Sequence, residues 1–145
     1  LRLFNVFGLG QQRGSPYSGV LTIFSERIVQ NEELTIFGDG HQSRDFIHVN
    51  DVVSAFIGCL EDLEKNGIYS KVSGKKFNVC SGESMTLLDV VDSFSSYTEN
   101  EIVVKFKPPR QGDILHSSGS FDSLNKAIGW TPSTDFSERL QELLL

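Results

Sequence analysis

Apolar and polar positions recur along the chain with two different periods. Residues 1–6 (Leu-Arg-Leu-Phe-Asn-Val) have strand composition and are closed by Gly8 and Gly10. Over residues 18–33, Val20, Leu21, Phe24, Ile28 and Val29 fall at helical spacing. Residues 34–37 form a short apolar run ended by Gly-Asp-Gly, and residues 44–49 alternate as a short strand does. A second helix follows, with Asn50 as N-cap, Asp51 at the positive end of the dipole, and Val52, Phe56, Cys59, Leu60 and Leu63 on one face up to Gly67. Residues 76–80 read as a buried strand and Ser81-Gly82 as a turn. Thr86 and Asp89 make an acidic capping box for a third helix, with Met85 and Val90 placed as a hydrophobic staple. A strand over residues 102–106 is broken by Pro108-Pro109, and two short helices, near residues 122–128 and 135–144, close the chain.

Strands alternating with helices predict an α/β fold with parallel pairing. The short strands around Gly-Asp-Gly and the irregular residues 108–121 predict a small mixed lobe added to it. The 145 residues are the size of one domain, enough to bury roughly two-thirds of the unfolded surface. A 39% hydrophobic share excludes intrinsic disorder, and no apolar run approaches the ~20 residues of a membrane helix. Acidic residues outnumber basic ones by 19 to 13, so no nucleic-acid partner is expected, although a few placed arginines suffice for a phosphate-bearing small ligand. Cys59 and Cys80 sit in apolar stretches and read as reduced core residues of an intracellular protein. The chain opens at Leu1 and its only methionine is Met85, so it is expected to be a piece of a longer protein.

Three segments carry candidate chemistry. Gly8-Leu9-Gly10-Gln11-Gln12-Arg13-Gly14 follows a strand, as a dinucleotide fingerprint does, but runs on into Ser-Pro-Tyr-Ser-Gly, which favours a loop over a helix. In Arg44-Asp45-Phe46-Ile47-His48-Val49, Arg44 presents either a fork to a phosphate or a surface ion pair with Asp45 or a neighbour, and His48 reads as a packed or hydrogen-bonded histidine. In Pro108-Pro109-Arg110-Gln111-Gly112-Asp113, Arg110 and Asp113 either bracket a nucleotide, on phosphate and ribose hydroxyl, or form an ordinary turn. Asn5 is polar at a strand end, where α/β sheets bind ligands. His41 and His116 lack partners at metal-ligand spacing, so no metal site is expected. Tyr17, Tyr69 and Tyr97 are followed four residues later by Leu21, Ser73 and Glu101, so no Tyr-x-x-x-Lys pair is present, nor any nucleophile elbow or Walker loop.

Taken in order, Leu-Arg-Leu-Phe-Asn-Val-Phe-Gly, Ser-Pro-Tyr-Ser-Gly-Val, Leu-Thr-Ile-Phe-Gly-Asp-Gly, Arg-Asp-Phe-Ile-His-Val-Asn-Asp-Val, Phe-Asn-Val-Cys-Ser-Gly, Pro-Pro-Arg-Gln-Gly-Asp and Ile-Gly-Trp-Thr-Pro resemble the C-terminal half of the extended short-chain dehydrogenase/reductases that act on nucleotide sugars. The resemblance covers essentially the whole chain and is nearest to the UDP-glucose 4-epimerases among the NAD-dependent epimerases and dehydratases. It implies the C-terminal part of an extended Rossmann-type protein, with residues 1–145 as the substrate-binding portion and an NAD-binding half absent. It places Asn5 on the sugar-nucleotide phosphates, Val20, Thr35 and Phe37 around the base, Arg44 on the diphosphate, and Arg110 with Asp113 as a phosphate and ribose clamp. Leu3 and Val6 would lie near the nicotinamide of NAD.

In such enzymes a tyrosinate removes the hydroxyl proton while hydride passes from sugar C4 to NAD, and a lysine lowers the tyrosine pKa. Those groups are not on this chain, so it is expected to be inactive alone. Leu9 also stands where a proline is common in the family. The resemblance further implies a nucleotide-sugar ligand, a UDP-hexose, and a cytoplasmic homodimer for the full-length protein. A 4,6-dehydratase or decarboxylase of the same family and a non-catalytic nucleotide-sugar-binding module are the alternatives.

Overall fold

In the computed structural model, which describes residues 1–11 and 19–145, the chain is a mixed α/β structure built largely from parallel strand pairs. The Ser-Pro-Tyr-Ser part of the glycine-rich loop, with Gly14 and Tyr17, lies outside the described residues. The predicted opening strand is two short ones. β1 (Arg2–Leu3) runs parallel to β5 (Asn78–Val79), and β2 (Asn5–Phe7) runs parallel to β4 (Ser43–His48). The chain changes partner at Phe4, whose N–H still donates to the Val79 carbonyl.

β4 is the middle strand of the β2-β4-β6 sheet, and its alternation divides the interior. Phe46 faces a core with Phe7, Phe24, Leu34, Ile36, Val90 and Phe94, while Ile47 faces a second core with Val52, Ala55, Val79, Leu124 and Trp130. β6 (Ser84–Thr86), not predicted, pairs antiparallel with the start of β4. It has too little alternation to be read as a strand, and it forms because β4 offers an open edge there. β3 (Leu34–Phe37) and β7 (Val104–Lys107) make a separate parallel pair.

α1 (Val20–Val29) spans the apolar positions and is shorter than the predicted 18–33; Asn31, at φ +54°, lies in the turn that leads into β3. α2 (Val49–Asn66) begins two residues before the predicted start, because His48 and not Asn50 is the cap: its Nδ1 accepts from the Asn50 N–H. Its buried face also differs from the prediction. Asp51, Val52 and Ala55 are buried, whereas Phe56, Leu60 and Leu63 are exposed. α3 (Leu87–Ser95) starts from the predicted Thr86–Asp89 capping box, and Met85 and Val90 join the same core. α4 (Asp122–Ile128) ends at Gly129, and α5 (Phe136–Leu140), capped by Asp135, tightens into a 3-10 turn at Gln141–Leu144. No helix among the described residues is long and apolar enough to cross a membrane.

Two buried carboxylates in the Arg44–Asp51 motif fasten these pieces. Asp45 accepts from the Ser81 N–H and hydroxyl (both 2.8 Å), the Gly82 N–H (3.1 Å) and the Gly119 N–H (3.3 Å). Asp51 accepts from the Ser133 N–H and hydroxyl and the Thr134 N–H, which ties the start of α2 to the C-terminal segment. Each carboxylate thus has several donors, the condition under which a buried charge is tolerated.

Candidate functional site

The alternation of β3 orients the first residues of the site. Leu34 and Ile36 point into the core, so Thr35 and Phe37 face the other side, where they line a cavity of about 380 Å³. The β3–β7 register places Lys107 opposite Phe37. Beyond Lys107 the two prolines turn the chain, and the Arg110 guanidinium comes to lie over the Phe37 ring, 3.8 Å from its centroid. That is close cation–π stacking; the Lys107 ammonium stands farther off, at 5.9 Å. The turn closes with the Asp113 N–H donating to the Arg110 carbonyl. Gly112, at φ +81°, supplies the left-handed residue this requires.

Asp113 then reaches across to Arg44. Arg44 Nη2 donates to the Asp113 carboxylate at 3.0 Å, and Nη1 donates to the Ser43 carbonyl at 2.9 Å. The ion pair predicted for Arg44 therefore involves Asp113 and not its neighbour Asp45, which points into the network described above. Val20, at the start of α1, forms the opposite wall with Ile23 and Phe24. Six of the seven predicted substrate residues, Val20, Thr35, Phe37, Arg44, Arg110 and Asp113, line this one cavity. The seventh, Asn5, lines a smaller cavity of about 300 Å³ that shares Val20 and Arg44 with the first. Its amide donates to the Asp45 carbonyl at 2.7 Å.

Among the described residues the larger cavity is lined by four cations, Arg27, Arg44, Lys107 and Arg110, and one carboxylate, Asp113. Arg27 is already engaged, with Glu32 at 3.4 Å and the Glu33 carbonyl at 3.2 Å. Arg44 has a side chain only 17% exposed, so its charge is screened less than that of a surface arginine. An aromatic face beside clustered guanidinium groups suits a planar ring carrying phosphates. Sequence reasoning missed Lys107, Arg27 and Gln42. The Gln42 amide, buried, donates to the Phe37 carbonyl at 2.6 Å and fixes the end of β3. A basic residue on the strand before the two prolines was the available signal for Lys107.

The other candidate groups have structural partners. His48 is buried with Nε2 3.5 Å from Glu142, and His116 Nδ1 is 3.1 Å from the Ser43 hydroxyl. Burial, reinforced by the nearby Asp45 charge, pushes the Cys80 thiol up to about 11, so it is not a nucleophile at neutral pH. Of the two residues predicted near a nicotinamide, Val6 lines the smaller cavity, whereas Leu3 lies exposed on β1 and lines neither. Gly8 and Gly10, the described glycines after β2, do not form a dinucleotide cradle. A Cβ at Gly8 would meet Val49 Cγ1 at 2.6 Å, so this glycine admits the start of α2, and among the described residues the next helix opens at Val20. The described residues therefore do not fit a pyrophosphate-binding turn for NAD.

A sequence profile of the NAD dependent epimerase/dehydratase family matches residues 1–80. The UDP-glucose 4-epimerase of Mycolicibacterium smegmatis is 30% identical over 92% of this chain and 40% of its own length. The UDP-N-acetyl-alpha-D-glucosaminuronate decarboxylase of Bacillus cytotoxicus is 29% identical over 99% of this chain and 44% of its own. The solved structure of UDP-N-acetylglucosamine 4-epimerase from Methanobrevibacter ruminantium M1, in complex with UDP-N-acetylmuramic acid, superposes with a TM-score of 0.83 at 37% identity. It covers 99% of this chain and 43% of that one. The chain thus spans less than half the length of these relatives.

Proposed function

Because the chain belongs to the NAD dependent epimerase/dehydratase family, we propose that it is the sugar-nucleotide-binding portion of a nucleotide-sugar 4-epimerase acting on a UDP-hexose. The observation that carries this reading is the cavity where Phe37, Arg110, Arg44 and Asp113 converge. In this reading Phe37 walls the base, with Thr35 and Val20 beside it. Arg44 and Arg110 take the diphosphate, and Asp113 accepts from a ribose hydroxyl. Phosphate oxygens would replace the Asp113 carboxylate on Arg44, an exchange of one anion for another that leaves the guanidinium paired throughout.

NAD and the catalytic tyrosine and lysine belong, in this proposal, to a preceding half of the polypeptide, and the 145-residue chain alone gives no turnover. When bound, NAD supplies the oxidation and reduction at the sugar; the present residues hold and orient the sugar nucleotide. A decarboxylase is the second reading, favoured by the near-equal similarity to the Bacillus cytotoxicus enzyme. Interconversion of UDP-glucose and UDP-galactose, against release of carbon dioxide from a UDP-uronic acid, separates the two.

The binding role is tested by calorimetric titration of the full polypeptide with UDP-glucose. Arg44→Ala should raise the Kd about 10- to 100-fold, the worth of a charge-assisted contact, with a far smaller effect on NAD binding. An unchanged UDP-glucose titration removes Arg44 from the site.

A further inference from the structure

One buried polar group of the smaller cavity has no role in the reading above. Gln11 follows β2 by way of Gly8 and Gly10 and lines that cavity with Asn5, Val20 and Arg44. Its amide oxygen, Oε1, is shielded from solvent and accepts no hydrogen bond from the described residues. Native proteins leave few such acceptors unmet, and each calls for a physical reason. The neighbouring side-chain donors serve other acceptors. The Asn5 amide donates to the Asp45 carbonyl, and Arg44 donates to the Ser43 carbonyl and to Asp113. The rest of the lining is largely apolar, with Val6, Phe7 and Phe46 among it.

The chemistry of the missing partner follows from the sign of the orphan. An unmet acceptor needs a donor. A diphosphate offers acceptors only, so it satisfies the arginines of the larger cavity and not Gln11. A hydroxyl group donates, and a hexose carries several. The smaller cavity adjoins the larger one at Arg44, where the diphosphate is proposed to lie, so the hydroxylated end of the ligand would extend toward Gln11. We propose that Gln11 is a specificity-determining residue whose Oε1 accepts a hydrogen bond from a hydroxyl of the hexose. This rests on the sugar-nucleotide reading and adds to it the group that distinguishes a sugar nucleotide from the bare nucleotide.

The test compares UDP-glucose with UDP as calorimetric probes on the full polypeptide, in wild type, Gln11→Met and Gln11→Glu. Methionine keeps the length of the side chain and removes the acceptor; glutamate keeps the acceptor. The preference for UDP-glucose over UDP should fall about tenfold in Gln11→Met, about the net value of one hydrogen bond, and be retained in Gln11→Glu. UDP binding in each variant reports an intact fold. An unchanged preference in Gln11→Met overturns the assignment while leaving the sugar-nucleotide reading in place. Loss of both ligands in Gln11→Met makes the residue part of the loop's architecture and overturns it too. Wild-type protein that binds neither UDP nor UDP-glucose overturns the underlying reading and this inference with it.

Discussion

At the scale of single residues, neighbours in one strand do opposite work. Arg44 and Asp45 are adjacent on β4 and point to opposite faces, so one can meet a ligand while the other organises the interior. Asp45 accepts four hydrogen bonds from three residues in two separate segments, Ser81 with Gly82 and Gly119. Asparagine at this position would keep the shape but turn an NH2 group toward N–H donors. Asp45→Asn should therefore destabilise the chain by about 3 kcal/mol, the loss of charge-assisted bonds together with donors left unmet. Urea unfolding of the variant checks this, and a loss below about 1 kcal/mol would show that the network contributes little. The sequence alone did not reveal that role. An aspartate beside an arginine reads first as its ion-pair partner, and only the fold shows that the partner is Asp113, 69 positions away.

At the scale of elements, legibility depended on whether the determinant was local. The capping box of α3 is four residues long and was readable, as was the end of α4 at Gly129. β6 was not, because its three residues are a strand only by virtue of the β4 edge beside them. Helix α2 shows the same division. Its period announced a helix, but period does not say which side meets the rest of the protein, and the side chosen was largely the exposed one. The site was legible to the extent that its residues stood in local motifs; the approach of Arg110 to Phe37 depends on the β3–β7 pairing, which no local pattern encodes.

The capping box also carries a pH signature. Hydrogen bonds from the Thr86 hydroxyl and N–H hold the Asp89 carboxyl below its usual range. A depressed pKa means that the contribution is present above the unfolded value of about 4 and is lost as pH falls through the folded one. Thr86→Ala should cost about 1 kcal/mol at pH 7, and the gap from wild type should narrow by pH 2.5. Urea melts at the two pH values measure it; a gap that stays constant would assign the whole effect to the hydroxyl's acceptance from the Asp89 N–H.

At the scale of the whole molecule, one helix face gathers several exposed apolar side chains. On α2, Val53, Phe56, Ile57 and Leu60 follow the i, i+3, i+4, i+7 spacing of one face, and each is about half exposed. Leu3 is exposed as well, on a strand that among the described residues pairs with β5 alone. A continuous apolar helix face and an open strand edge are each the composition of a buried contact, not of a solvated surface. In the proposed enzyme the preceding half of the polypeptide covers both. The 145-residue chain by itself should then self-associate, and charges on the α2 face should relieve this without touching the sugar-nucleotide cavity, because none of these four residues lines it. Sedimentation velocity should show wild-type chain as concentration-dependent oligomers and the double variant Phe56→Glu, Leu60→Glu shifted toward monomer. In the full polypeptide the same pair of substitutions should be destabilising, because it would place two carboxylates in a contact that is covered there. A wild-type 145-residue chain that sediments as a monomer and melts cooperatively would mean that the α2 face is at home in water, and would remove the main structural reason for assigning it a covering half.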